Sequence, residues 1–271
     1  PGASAAAVDG VDLDVEPGAV TAIIGPNGCG KSTLLRAVRG LVPLAGGRVT
    51  LDGRDVADVP AKALARQIAF LPQHPVVPAG TTVAELAARG RHPHRGWFGR
   101  WTVADDAAVA EALEVTGTRD LVDRGVGELS GGQRQRVWLA LVLAQQAPVL
   151  LLDEPTSFLD LAHQIDVLDV VRRLGSTGTT IVMATHDNVI VDELQKRVIE
   201  LEDGHIIRDE EGGSYVPKVV DSRDRDEREA ERAHDERDHH DDGALPPQED
   251  RPIGEVHALD EWDDDAEDLL R

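Results

Sequence analysis

The sequence predicts an α/β fold, a mainly parallel sheet with flanking helices, on three observations. A glycine-rich loop, Gly25-Pro26-Asn27-Gly28-Cys29-Gly30-Lys31-Ser32-Thr33, fits G-x-x-x-x-G-K-[ST]. An apolar run from Pro148 to Leu152 closes on two carboxylates, Asp153 and Glu154, as a buried parallel strand does where its carboxyl end meets a ligand crevice. Such strands alternate with helical stretches over about 220 residues of ordinary polarity, enough for one substantial core.

In the loop, glycines let backbone N–H groups close on phosphate oxygens. Lys31 is placed to reach the terminal phosphates and Ser32 to ligate Mg²⁺. Cys29 is the only cysteine, so no intrachain disulfide is possible, which fits a reducing compartment. A redox-sensing thiol beside a helix N-terminus is one reading of Cys29. We read it instead as a tolerant position whose backbone N–H matters.

Further along, Gly90 to Trp101 holds three of the eight aromatic residues, Trp97, Phe98 and Trp101, next to arginines, a composition that interfaces use. The rival reading is a hydrophobic clasp inside a small subdomain. His92-Pro93-His94 is a poor metal pair, because the proline breaks helical spacing and no third ligand is evident. Residues 102–113 read as a helix capped by Thr102. Leu129-Ser130-Gly131-Gly132-Gln133 opens another that runs to Ala144, and Ser130 with the nearby N–H groups presents a positive helix end to an anion. At the strand end, Asp153 is placed to hold Mg²⁺ through its water shell, and Glu154 to accept a proton from the water that attacks a γ-phosphate.

The charge is uneven. Residues 221–271 hold 21 acidic and 7 basic residues, or −14 of the chain's −22. Such a segment cannot bury enough apolar surface to fold alone and is expected to be a disordered acidic tail. Its His234, His239 and His240 read as solvated rather than as metal ligands, and its charge argues against nucleic acid or anionic lipid as a partner. No apolar run approaches the ~20 residues that span a bilayer, and no signal peptide is visible. Membrane contact would have to be borrowed.

Together, the phosphate loop and Leu129-Ser130-Gly131-Gly132-Gln133 resemble the ATP-binding-cassette (ABC) superfamily. The resemblance implies a P-loop ATPase with an antiparallel N-terminal β-subdomain and a helical subdomain at about 75–145, within an ATPase domain over 1–220. It matches Gln73 to the Q-loop, which touches Mg²⁺ and the membrane partner, Asp160 to the D-loop, and His186, after the apolar run 180–185, to the switch histidine. Singly, each is an ordinary loop or surface residue; their shared order and spacing carry the resemblance. It implies ATP and Mg²⁺ as ligands and a second copy of the chain, whose γ-phosphate meets Ser130, Gly131, Gly132 and Gln133 in a head-to-tail ATP sandwich.

From about Val8 to Leu174, and notably at 90–101 and in Asp160-Leu161-Ala162-His163-Gln164, the chain resembles the ATPases of iron-siderophore and related haem or cobalamin importers. That implies a cytoplasmic ATPase dimer, peripheral on the membrane, docked on a permease dimer fed by an external substrate-binding protein, with no nucleic-acid partner. Residues about 178–215 instead resemble FtsE, the division ATPase that partners FtsX, so the chain looks like a join near 174–180. A non-transporting FtsE-like role is therefore the alternative. A soluble ABC protein acting on ribosomes or DNA would call for a second cassette or a basic face, and the sequence has neither. Family members usually begin with a strand and an adenine-stacking aromatic, and Pro1 to Ala7 has no aromatic. A truncated start is expected, along with weaker base stacking.

Overall fold

The computed structural model of the chain describes residues 6–96 and 99–215. Its strands are β1 (Val20–Ile24), β2 (Thr50–Leu51), β3 (Arg54–Asp55), β4 (Ile68–Leu71), β5 (Val149–Asp153), β6 (Thr180–Ala184), β7 (Arg197–Glu202) and β8 (His205–Glu210). Its α-helices are α1 (Lys31–Val38), α2 (Ala61–Leu64), α3 (Val83–Arg89), α4 (Val103–Val115), α5 (Gly131–Ala144), α6 (Leu161–Ser176) and α7 (Asn188–Leu194). The main sheet runs β4-β5-β6-β1-β7-β8. The first five strands are parallel, and β8 pairs antiparallel with β7. The expected N-terminal antiparallel element is a hairpin of the two short strands β2 and β3, turned by Asp52 and Gly53, both at positive φ.

Both faces of the sheet are covered, which is why its central strands read as unbroken apolar runs. Leu150 and Leu152 of β5, with Ile181 and Met183 of β6, pack into a core with α3 to α7. Leu151, Val182 and Ala184 point the other way, into a core with α1 and α2. This period-2 division leaves the carboxyl ends of β1, β4, β5 and β6 free to carry loops on one edge of the sheet.

The helix at 102–113 is α4, two residues longer than its sequence signals indicate. Thr102 caps it as expected and forms a capping box with Asp105. Ser130 and Gln133 form the same device at the start of α5. α5 packs against both α3 and α4, and a buried ion pair ties the three together. Arg91 Nε donates to Asp105 Oδ1 at 2.8 Å, while Arg91 Nη1 donates to the Ala144 carbonyl at 2.8 Å, at the carboxyl end of α5, where a cation also meets the negative end of the helix dipole. His94, doubted above as a metal ligand, instead hydrogen-bonds the Gln145 carbonyl through Nε2 at 2.7 Å.

Arg91 and Thr102 hold the Asp105 carboxyl down at about 2. A depressed folded value contributes stability that is complete above the unfolded value, near 3.8, and is lost as pH falls through about 2. Replacing Arg91 with Met should lower the Tm by several degrees at neutral pH, because a buried carboxylate loses its partner. The gap between parent and variant should narrow below about pH 4. Thermal melts of both proteins across that range check it, and a constant gap would place the effect in packing rather than charge.

The aromatic pair Trp97-Phe98, the acidic tail at 221–271 with its three histidines, and residues 1–5 of the expected truncated start lie outside the described residues.

Candidate functional site

At the carboxyl end of β1 the chain turns through Gly25 to Gly30 and enters α1. Gly30 takes φ 107°, and a Cβ there would fall 2.2 Å from the Ala7 carbonyl oxygen, so the turn accepts no side chain at this position. Lys31, 6 % exposed, donates from Nζ to the carbonyls of Gly25 at 2.8 Å and Pro26 at 3.0 Å. The ammonium is thereby fixed across the mouth of the loop, with Cys29 Sγ 3.9 Å away.

One residue on, Ser32 Oγ donates to Asp153 Oδ1 at 2.8 Å. Burial pushes the Asp153 carboxyl up, and the Ser32 hydrogen bond partly offsets it. Asp153 Oδ2 is buried and has no protein partner, a costly state for a carboxylate oxygen. A serine hydroxyl, a buried carboxylate oxygen and the nearby amide of Gln73 form a hard oxygen donor set of the kind Mg²⁺ takes. The residues present fit the ion.

Glu154 follows at φ 49°, a left-handed conformation that costs a non-glycine residue roughly 1–3 kcal/mol. Its N–H donates to the Ala184 carbonyl at 2.9 Å, which pins the turn to β6. The turn aims the buried carboxylate at His186, just beyond β6, and Glu154 Oε2 lies 2.8 Å from His186 Nδ1. Two strand ends separated by 32 residues in sequence thus present an acid and an imidazole to one another.

These groups share an open pocket of about 510 Å³ whose walls include Asn27, Gly28, Gly30, Lys31, Ser32, Thr33, Gln73, Glu154 and His186. Gly25, Pro26 and Cys29 belong to the same loop without lining the pocket, and Asp153 reaches it through Ser32. Ser130, Gly131, Gly132, Gln133 and Asp160 do not line it. They lie together at the starts of α5 and α6, where a Cβ on Gly131 would meet Leu159 Cδ2 at 3.6 Å and one on Gly132 would overlap the His163 ring. The sequence reading missed Thr156, Ser157, Phe158, Gln164 and Asp187, which also line the pocket. The hydroxyls of Thr156 and Ser157 were findable from their nearness to Glu154. Gln164 was not, since only packing turns that face of α6 toward the loop.

This constellation has counterparts among known proteins. The ABC transporter family matches residues 8–157. The achromobactin transport ATP-binding protein CbrD of Dickeya dadantii is 50% identical over 186 residues, 68% of this chain and 69% of that protein. The ferric enterobactin transport ATP-binding protein FepC of Escherichia coli is 44% identical over 200 residues, 73% of this chain and 74% of that protein. Among solved structures, a dimeric post-hydrolysis state of the ATP-binding cassette MJ0796 bound to ADP and Pi superposes with a TM-score of 0.67 at 28% identity, over 77% of this chain and 92% of that one.

Proposed function

This chain belongs to the ABC transporter family, and from that membership we infer that it powers the import of iron–siderophore complexes through a membrane permease. It is the ATP-binding, ATP-hydrolysing subunit of the importer. The observation that carries this reading is identity of 42–50% to siderophore-import ATPases, joined to one pocket that gathers Lys31, the Ser32–Asp153 pair and the Glu154–His186 pair.

In this reading the N–H groups of 27–33 and the Lys31 ammonium cradle the β- and γ-phosphates of ATP. Ser32, Asp153 and Gln73 hold Mg²⁺, which when bound neutralises charge building on those phosphates. Glu154 accepts the proton of the attacking water, and its carboxylate is held in place by the hydrogen bond between Oε2 and His186 Nδ1. Positioning and fixed charge do most of the work, since phosphoryl transfer asks little covalent chemistry of the protein. Ser130, Gly131, Gly132 and Gln133, outside their own chain's pocket, serve the γ-phosphate of a second copy through the N-terminus of α5, with Asp160 beside them.

In this reading residues 1–220 are the ATPase domain, with a helical subdomain at about 75–145 that meets the permease, while the acidic segment 221–271 lies outside the described residues. No helix among the described residues is long and apolar enough to cross a membrane. We place the chain on the cytoplasmic face of the membrane, held there by its permease, with the substrate-binding protein outside and no nucleic-acid partner.

The FtsE-like reading rests on residues 178–215, which supply β6 to β8, α7 and His186. Partner choice belongs to the other part, where Trp101 stands 38 % exposed with the Arg95 guanidinium 5.7 Å from its ring centroid. Trp101→Ala should weaken recovery of a siderophore-type permease at least several-fold and leave basal ATP hydrolysis within about twofold, as losing an interface aromatic does. Pull-down of the permease and an FtsX-type protein from the same membranes tests this; preferential recovery of the FtsX-type protein would overturn it.

A further inference from the structure

The starts of α5 and α6 are locked together by one side chain that the reaction scheme above does not use. His163, in the first turn of α6, packs directly against Gly132. A Cβ on Gly132 would fall 1.9 Å from His163 Cδ2, 2.4 Å from Cγ and 2.8 Å from Cβ. No residue but glycine leaves room for the ring. The other edge of the ring is held as closely, since His163 Nδ1 is 2.7 Å from Asp160 Oδ1, which also accepts the His163 backbone N–H at 3.0 Å. The carboxylate only accepts, so Nδ1 carries the proton and the ring's rotation is fixed. These bonds in turn hold the Asp160 carboxyl below its ordinary range.

Asp160, Ser130 and Gly131 are exposed, Gln133 is half-buried and Gly132 buried, and none of them lines the pocket of its own chain. In the two-copy reading given above, the linked residues Asp160, His163 and Gly132 join two elements that face the nucleotide of the second copy. Because α5 starts with a capped turn and α6 with an Asp160 cap, the imidazole is a spacer between two stiff helix ends. Its thickness sets their separation.

We propose that His163 is a positioning residue that holds the N-terminus of α5 and the Asp160 cap of α6 in fixed register, so that both meet the nucleotide of a second copy as one unit. The proposal rests on the two-copy reading given above. It does not require His163 to touch ATP. With the ring removed, Gly132 loses its support and Asp160 loses its ring partner, and the α5 end is free to shift by a fraction of an ångström to an ångström. Misplacement on that scale costs up to ~100-fold in rate where charge must be met at a fixed point.

The test uses the full chain in four forms: Glu154→Gln, Glu154→Gln with His163→Ala, and His163→Ala and His163→Asn in the otherwise unaltered protein. ATP-driven dimerisation is followed by analytical ultracentrifugation for the first pair. Turnover and ATP affinity are followed for the second. The expected results are dimerisation of Glu154→Gln with ATP, at least tenfold weaker dimerisation once His163→Ala is added, and kcat reduced at least tenfold by His163→Ala with ATP affinity of the single chain unchanged. His163→Asn keeps an N–H that can reach Asp160 and should recover much of the lost kcat; a role in packing alone would not give that rescue. Parental dimerisation and kcat in the His163→Ala forms would overturn the proposal. Failure of Glu154→Gln itself to dimerise with ATP would overturn the two-copy reading, and this proposal with it.

Discussion

Glu154→Gln should bind ATP as tightly as the parent and hydrolyse it roughly 10²–10⁴ times more slowly, the range that general-base catalysis contributes. The amide keeps the shape of the carboxylate and can still meet His186, whose Nδ1 lies 2.8 Å from Oε2. What it loses is the capacity to take a proton. The left-handed backbone at φ 49° sharpens the expectation, since strain at this residue is sustained to aim one side chain at one point. Binding by fluorescent nucleotide and rate by phosphate release must be measured separately. Parental turnover in Glu154→Gln would remove it as the base.

Lys31→Ala should act at the other step and weaken ATP binding by at least an order of magnitude. The ammonium is almost fully buried against the Gly25 and Pro26 carbonyls, and its charge is therefore little screened by solvent. Alanine leaves the loop's N–H groups in place but deletes the cation that the proposed mechanism sets against the β- and γ-phosphates. Titration of the variant with ATP and with AMP separates the cases. Loss confined to ATP places Lys31 at the terminal phosphates, and equal loss for both would mean that the loop itself had collapsed.

The parts of the site that sequence reveals are those whose chemistry is local. A phosphate loop must spend glycines where the backbone turns left-handed, as Gly30 does at φ 107°, and glycine is visible in a string of letters. A capping residue and its partner three positions on, Ser130 with Gln133 or Thr102 with Asp105, are equally visible. A strand buried on both faces shows as an apolar run, so β5 and β6 could be read with the acids or the histidine that follow them. Contacts across the sequence were not legible. Nothing near Arg91 announces that it will bind Asp105 and the end of α5, 53 residues away. Nothing near His163 announces that its ring defines why position 132 is glycine. The strand order β4-β5-β6-β1-β7-β8 belongs to the same class. Family resemblance implied the Q-loop and switch positions, but the 2.8 Å approach of His186 to Glu154 arises only when two strands lie side by side.

The central claim is that ATP hydrolysis at Glu154 drives a ferric siderophore across a membrane. The direct measurement is release of radio-iron siderophore, loaded together with the substrate-binding protein inside proteoliposomes, through a siderophore-type permease that has this chain bound outside. The account predicts accumulation outside the vesicles that requires ATP on the side of this chain and is abolished by Glu154→Gln. Hydrolysis at a parental rate with no siderophore movement, by an ATPase that remains bound to the permease, would contradict it.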